Sequence, residues 1–134
     1  MSNTFSLDIS RFVEKAKGRV DLVVQKVTLD VFSSVIMMSP VDTGRFRGNW
    51  IADIGAIPAG TVNNFDKSGS EAISRAAAIV ARGKSGGVVY LVNNLPYAQR
   101  LEYDHWSRQA PSGMVRISIT NYQNYVNNAV SSIN

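Results

Sequence analysis

Residues 8–38, DISRFVEKAKGRVDLVVQKVTLDVFSSVIMM, decide the fold of this chain. Ile9, Phe12, Ala16, Val20, Val23, Val27, Val31, Val35 and Met38 recur at steps of three or four, the spacing of one helical face. A second apolar line of Leu22, Leu29, Phe32 and Ile36 widens the stripe, so the C-terminal half should be buried on more than one side. Asp8 or Ser10 can cap the start and Pro40 stops the helix. At 1.5 Å per residue it would reach roughly 45 Å, longer than the radius of a small domain, unless Gly18 bends it.

Outward from this helix the pattern changes. SPVDTG, from Ser39 to Gly44, is turn chemistry, and Asn49 to Ile57 alternates in the manner of a strand. A further strand is expected near Arg45. Residues 57–66 read as loop, Ser68 and Glu71 fit a capping box, and the alanine-rich run Ser70 to Ala81 reads as a short helix. Arg82 to Gly87 is a break, and Val88 to Asn93 is the clearest strand. Val115, Ile119, Tyr122, Val126 and Ile133 keep helical spacing toward the end, with Pro111 in the first turn. The expected class is α+β: a long N-terminal helix and a C-terminal helix packed on a small antiparallel sheet, with a short central helix. Residues 1–134 are expected to form a single domain, with 1–7 a flexible arm and 58–68 and 82–87 loops.

Composition narrows the function classes. The 134 residues include no cysteine, which excludes disulfide scaffolds, thiolate zinc sites and thiol nucleophiles. Fourteen Lys and Arg against ten Asp and Glu give a net charge of +4, and the basic residues are scattered instead of forming a stripe. No stretch approaches the ~20 apolar residues of a membrane span, so the expectation is a soluble protein made in the cytoplasm, with no membrane partner.

No catalytic or cofactor motif is complete in the sequence. AIVARGKS, residues 78–85, ends like a phosphate-binding loop, but Ala78 stands where a glycine is required, with a helix before it and a strand after. His105 is the single histidine, beside Asp104 and near Glu102. These do not make a zinc set, and the expected role is a loop histidine packing on Trp106. Asp42 is expected to accept backbone amides in an Asx-type turn, and Glu102 to form a local ion pair with Arg100. Arg45 and Arg47, two apart, would share one strand face, either as a solvated edge or facing a polyanion or carboxylate. No catalytic residue, metal ligand or cofactor is expected.

Two segments carry a resemblance. MSPVDTGRFRGNW, residues 38–50, and NNLPYAQRLEYDHWSRQAPSGMVR, residues 93–116, resemble blocks of the small tail-completion, or head–tail junction, proteins of tailed bacteriophages. The resemblance covers most of the chain after about residue 8. Ser39, Pro40, Val41, Asp42, Thr43 and Gly44 match that family's turn; Arg45, Phe46 and Arg47 match its basic–apolar segment; Pro96, Tyr97, Ala98, Leu101, Glu102 and Tyr103 match its second block. Asp104 and His105 depart from it, standing where a glycine is expected. The resemblance implies a structural virion protein and no enzyme: a ring of copies, hexameric by analogy, at the head–tail junction, contacting connector and tail proteins around a DNA channel and assembled in the host cytoplasm. Within that reading, the basic side chains of Arg45, Arg47, Arg82 and Lys84 are expected as possible DNA-channel or partner contacts. Possible subunit contacts are Phe5, Leu7, Ile9, Phe12, Tyr97, Tyr103 and Trp106. The competing reading is a small basic DNA-binding accessory protein, which lacks support from a helix-turn-helix or an aromatic-studded strand.

Overall fold

The computed structural model describes residues 20–83, 87–104 and 106–133. It is a mixed α+β fold: α1 Val20–Met37, α2 Arg45–Gly48, β1 Trp50–Ile54, α3 Ser70–Val80, β2 Val89–Asn93, α4 Ala98–Tyr103, α5 Val115–Thr120 and α6 Tyr122–Ile133. The strands form an antiparallel pair with Trp50 opposite Asn93, Ala52 opposite Leu91 and Ile54 opposite Val89. Helix α1 packs on α3, α5 and α6, and α3 lies on β1.

Two apolar clusters divide the length of α1. Its C-terminal half contributes Val35 and Ile36 to a core with Phe46, Trp50, Ala72, Ala76, Leu95, Leu101, Ala110 and Met114. Its N-terminal half sends Val23 against Val126 and Ala129 of α6. The widened stripe is buried at Val35 and Ile36, whereas Met38 at its end and Leu22 of the second line are exposed. The expected helical residues 8–19 and the arm at 1–7 lie outside the described residues.

Several boundaries differ from the sequence expectation. The strand expected over 49–57 closes at Ile54, because Gly55 takes φ +79 while its N–H donates to the Val88 carbonyl. The extra strand expected near Arg45 is instead the helical turn α2. Gly44 at φ +89 starts it, Thr43 Oγ1 accepts the Arg45 N–H at 3.2 Å, and the Gly48 and Asn49 amides close the turn on the Gly44 and Phe46 carbonyls. A helical turn sets residues two apart on nearly opposite sides, so Arg45 and Arg47 do not share a face. The acceptor in this turn is therefore Thr43, while the Asp42 side chain expected in that role is exposed.

The cap of α3 also differs. Asp66, not the Ser68–Glu71 box, receives the Gly69 and Ala72 amides, at 3.1 and 2.8 Å, and Glu71 turns outward to Arg75 at 3.5 Å. The single terminal helix is two, α5 and α6. Thr120 Oγ1 and Asn121 Nδ2 both donate to the Ile117 carbonyl, competing with the backbone ladder where the helix breaks. Pro111 lies in the turns before α5 and not in its first turn.

Gly44 is a point of close approach. A Cβ there would lie 2.6 Å from the Lys67 nitrogen and 2.8 Å from that of Asp66. Gly60 has a similar φ of +80 but open space around it. Gly44→Ala should therefore cost clearly more than the ~1–2 kcal/mol of a left-handed alanine, and Gly60→Ala about that amount alone. Urea unfolding of the two variants measures the difference.

Candidate partner-binding groove

The two segments that carry the resemblance are far apart in sequence and meet in space. The turn 40–46 and α4 with the connector after it line an open groove of about 400 Å³, whose walls include Phe46, Tyr97, Leu101, Trp106 and Gln109. An aromatic series leads from the core into it. Trp50 meets Phe46 edge-on at 5.8 Å, Phe46 meets Tyr97 at 5.7 Å, and Tyr97 meets Trp106 at 6.2 Å between ring centroids. These separations are favourable for aromatic pairs, and the series passes from 5% exposure at Trp50 and Phe46 to 56% at Trp106. The Arg100 guanidinium lies 5.7 Å from the Trp106 ring centroid and covers its face.

The floor is held by polar contacts to backbone. Ser39 is buried, donates to the Val35 carbonyl at 2.9 Å and accepts the Trp50 indole N–H at 2.7 Å, tying α1 to β1. Arg47 donates to the carbonyls of Lys67, Met37 and Ser39 at 2.7, 2.9 and 2.9 Å. Burial pushes its guanidinium below the ordinary arginine value, and the Asp66 carboxylate opposes the shift. Gln109 lines the groove and holds Val41: its side-chain amide accepts the Val41 N–H at 2.8 Å and donates to the Val41 carbonyl at 3.0 Å.

Glu102 organises the connector. Instead of the expected local pair with Arg100, its carboxylate is buried and accepts the amides of Met114, Val115 and Arg116 at 3.0, 2.7 and 3.3 Å. The Arg116 side chain adds an ion pair at 3.0 Å and also donates to the Glu102 carbonyl, while lying 5.1 Å over the Tyr103 ring. Gly113, at φ +85, sits where any Cβ would meet Glu102. Burial alone would raise the carboxyl pKa, but the hydrogen bonds to Val115, Arg116 and Met114 together outweigh it and hold the group below its ordinary value.

The expected site residues separate into three sets. Ser39, Pro40 and Gly44 are buried structural parts of the turn, Val41 presents backbone, and Asp42, Thr43 and Arg45 are exposed at the groove. Tyr97 and Trp106 line the groove, and Tyr103 is exposed against Arg116. Arg47 is committed to the protein's own carbonyls. Arg82 follows the far end of α3, whereas Arg47 abuts Gly69 at its start, so the length of a helix, about 16 Å, keeps these cations from forming one patch. Lys84, Phe5, Leu7, Ile9, Phe12 and the His105 packing on Trp106 lie outside the described residues. Sequence reasoning missed Gln109 and Asp66, which carry no motif, and the buried role of Glu102. The signal for Glu102 was Gly113, a glycine just before a helix that a carboxylate could cap.

Among the described residues no group of acidic or histidine side chains could hold a metal ion, and no helix is long and apolar enough to cross a membrane. No family model, curated protein or solved structure matches the chain.

Glu102→Gln keeps the shape but turns an N–H₂ toward backbone donors, and should cost about 1–3 kcal/mol. Because the folded pKa is lowered, the carboxylate's contribution is complete above the ordinary glutamate value and is lost as pH falls through the lower folded one. The stability gap between wild type and variant, from urea midpoints, should be widest at neutral pH and close in acid.

Proposed function

We propose that this chain is a structural virion protein of a tailed bacteriophage, a ring-forming component of the head–tail junction or tail-completion assembly around the DNA channel. The single observation that carries the reading is the convergence of both resemblance segments on one solvent-exposed groove. Asp42, Arg45 and Trp106, drawn from both segments, are exposed there. Exposed aromatic side chains beside Arg are the usual composition of a protein-binding surface. A two-stranded sheet with both outer edges unpaired among the described residues also suits a subunit completed by its neighbours.

Under this reading the protein turns over no substrate. Copies contact one another in a ring, hexameric by analogy, and contact connector and tail proteins above and below. Its place is the virion, after assembly in the host cytoplasm. Contacts to passing DNA are weak and sequence-blind, and fall to Arg45, Arg82 and Lys84, since Arg47 is occupied within the fold. A net charge of +4 suits a conduit better than a tight binder.

Purified protein imaged alone and with tail components should give rings, and should bind duplex DNA little at ~0.15 M salt. A monomer that binds DNA tightly, with a steep loss of affinity as salt rises, would overturn this reading in favour of a small basic DNA-binding accessory protein.

A further inference from the structure

The two edges of the sheet are finished differently. The Gly55 N–H donates to the Val88 carbonyl, which sets the phase of the ladder: Ile51 and Asp53 exchange bonds with Val92 and Tyr90, and the residues between them turn their main-chain groups outward. On β1 the protein partly closes those outward groups itself. Asp53 Oδ1 accepts the Ile54 N–H at 2.8 Å, and the Arg75 guanidinium of α3 donates to the Gly48 carbonyl at 2.7 Å and the Trp50 carbonyl at 3.5 Å.

On β2 the outward groups belong to Val89, Leu91 and Asn93. Among the described residues no hydrogen bond reaches the outward N–H and C=O of Val89 or Leu91, and no element besides β1 packs closely on the strand. Val88, just before it, is 55% exposed. Residues 88–93, VVYLVN, contain no charge and no proline, the devices that usually keep a free strand edge from pairing. Main-chain donors and acceptors at this spacing are matched by another extended strand.

The strand is its own complement. About a two-fold axis at Leu91, an antiparallel second copy sets Leu91 opposite Leu91 and Val89 opposite Asn93, so every outward group meets an outward group. Axes at Val89 or Asn93 keep the phase but shorten the overlap. Ala52 and Leu91 pack toward the core, so Tyr90 and Val92 share the other face. There the two-fold sets Tyr90 opposite Val92, an aromatic and a β-branched side chain that pair favourably across strands. With no charge on the strand, no like charges meet.

We infer that β2 of one copy pairs antiparallel with β2 of a second copy about a two-fold at Leu91, joining two two-stranded sheets into one continuous sheet. Two strands alone make a marginal sheet, and the larger one is better able to support itself. A two-fold contact uses the same patch on both copies, unlike the head-to-tail contacts of a ring, so the inference stands apart from the assembly proposed above.

The test is the mass of the full chain by light scattering across concentration, with far-UV circular dichroism to verify that each variant is folded. Wild type should associate into dimers or assemblies built of them. Val89→Pro removes an outward N–H at the first residue of the strand, where proline is tolerated, and should weaken dimerisation about tenfold or more. Crosslinking reads the register in a chain with no cysteine of its own. Under mild oxidation Leu91→Cys should give a disulfide-linked dimer, since a hydrogen-bonded pair places its Cα atoms about 5.5 Å apart. Val89→Cys should not, because the two-fold sets its copies more than about 10 Å apart. Folded Leu91→Cys that crosslinks no faster than Val89→Cys overturns the inference, as does a wild type that stays monomeric at every concentration. Either result leaves the ring reading standing if rings form with tail components. The expected crosslink without any ring, alone or with tail components, overturns the ring reading and keeps this contact.

Discussion

The Arg47 guanidinium draws three backbone carbonyls to one point, and the rest of the fold is arranged around that convergence. Met37 and Ser39 stand at and just past the end of α1, where helix carbonyls lack intrahelical partners and carry the negative end of the helix dipole. Lys67 belongs to the segment that approaches α3. Pinning both to α2 fixes how the helix hands the chain to the sheet. Beside it the Asp66 N–H donates to the Gly44 carbonyl at 3.0 Å, which brings the Asp66–Lys67 backbone so close to Gly44 that no Cβ fits between. An arginine that looked like a candidate ligand contact in the sequence is a structural bolt.

The same economy recurs wherever backbone turns without regular secondary structure. Asp66 receives the free amides at the start of α3, and Glu102 those at the start of α5. Asn49 donates to the Arg45 carbonyl and accepts the Val62 amide, holding the 55–69 loop against α2. Ser39 links α1 to the Trp50 indole. Each of these side chains is buried. A buried polar group is tolerated only when its hydrogen bonds are made, and once made they hold a loop as firmly as a ladder would. The groove is consequently built from short helices and irregular backbone held in fixed geometry, the combination on which binding residues are commonly mounted.

That arrangement divides the resemblance segments by role. Ser39, Gly44, Arg47, Leu101 and Glu102 hold the frame, while Asp42, Arg45, Tyr97 and Trp106 face the space in front of it. The aromatic series from Trp50 to Trp106 connects the two, so a partner resting on Trp106 would lean on rings continuous with the core. Such backing suits a protein–protein contact, since a supported aromatic side chain loses little conformational freedom on binding.

The sequence by itself determined the elements whose periodicity is long or whose composition is one-sided: the helical spacing through Met38, the alanine-rich α3, the β-branched strand at Val89–Asn93 and the α+β class. Its errors fall where local pattern and long-range contact compete. Phe46 points inward in either a strand or a helical turn, so alternation could not distinguish them, and the left-handed Gly44 with its distant neighbours Asp66 and Lys67 chose the turn. Val115 to Ile133 keeps one helical phase, but the Thr120 and Asn121 side chains interrupt its backbone bonds. Glu102 lay close to Arg100 in sequence, yet only the folded chain brings residues 114–116 to its carboxylate. Composition and spacing record which residues want burial. Which carbonyls an arginine satisfies, and which amides a carboxylate caps, depend on segments tens of residues apart, and tertiary packing alone brings those together.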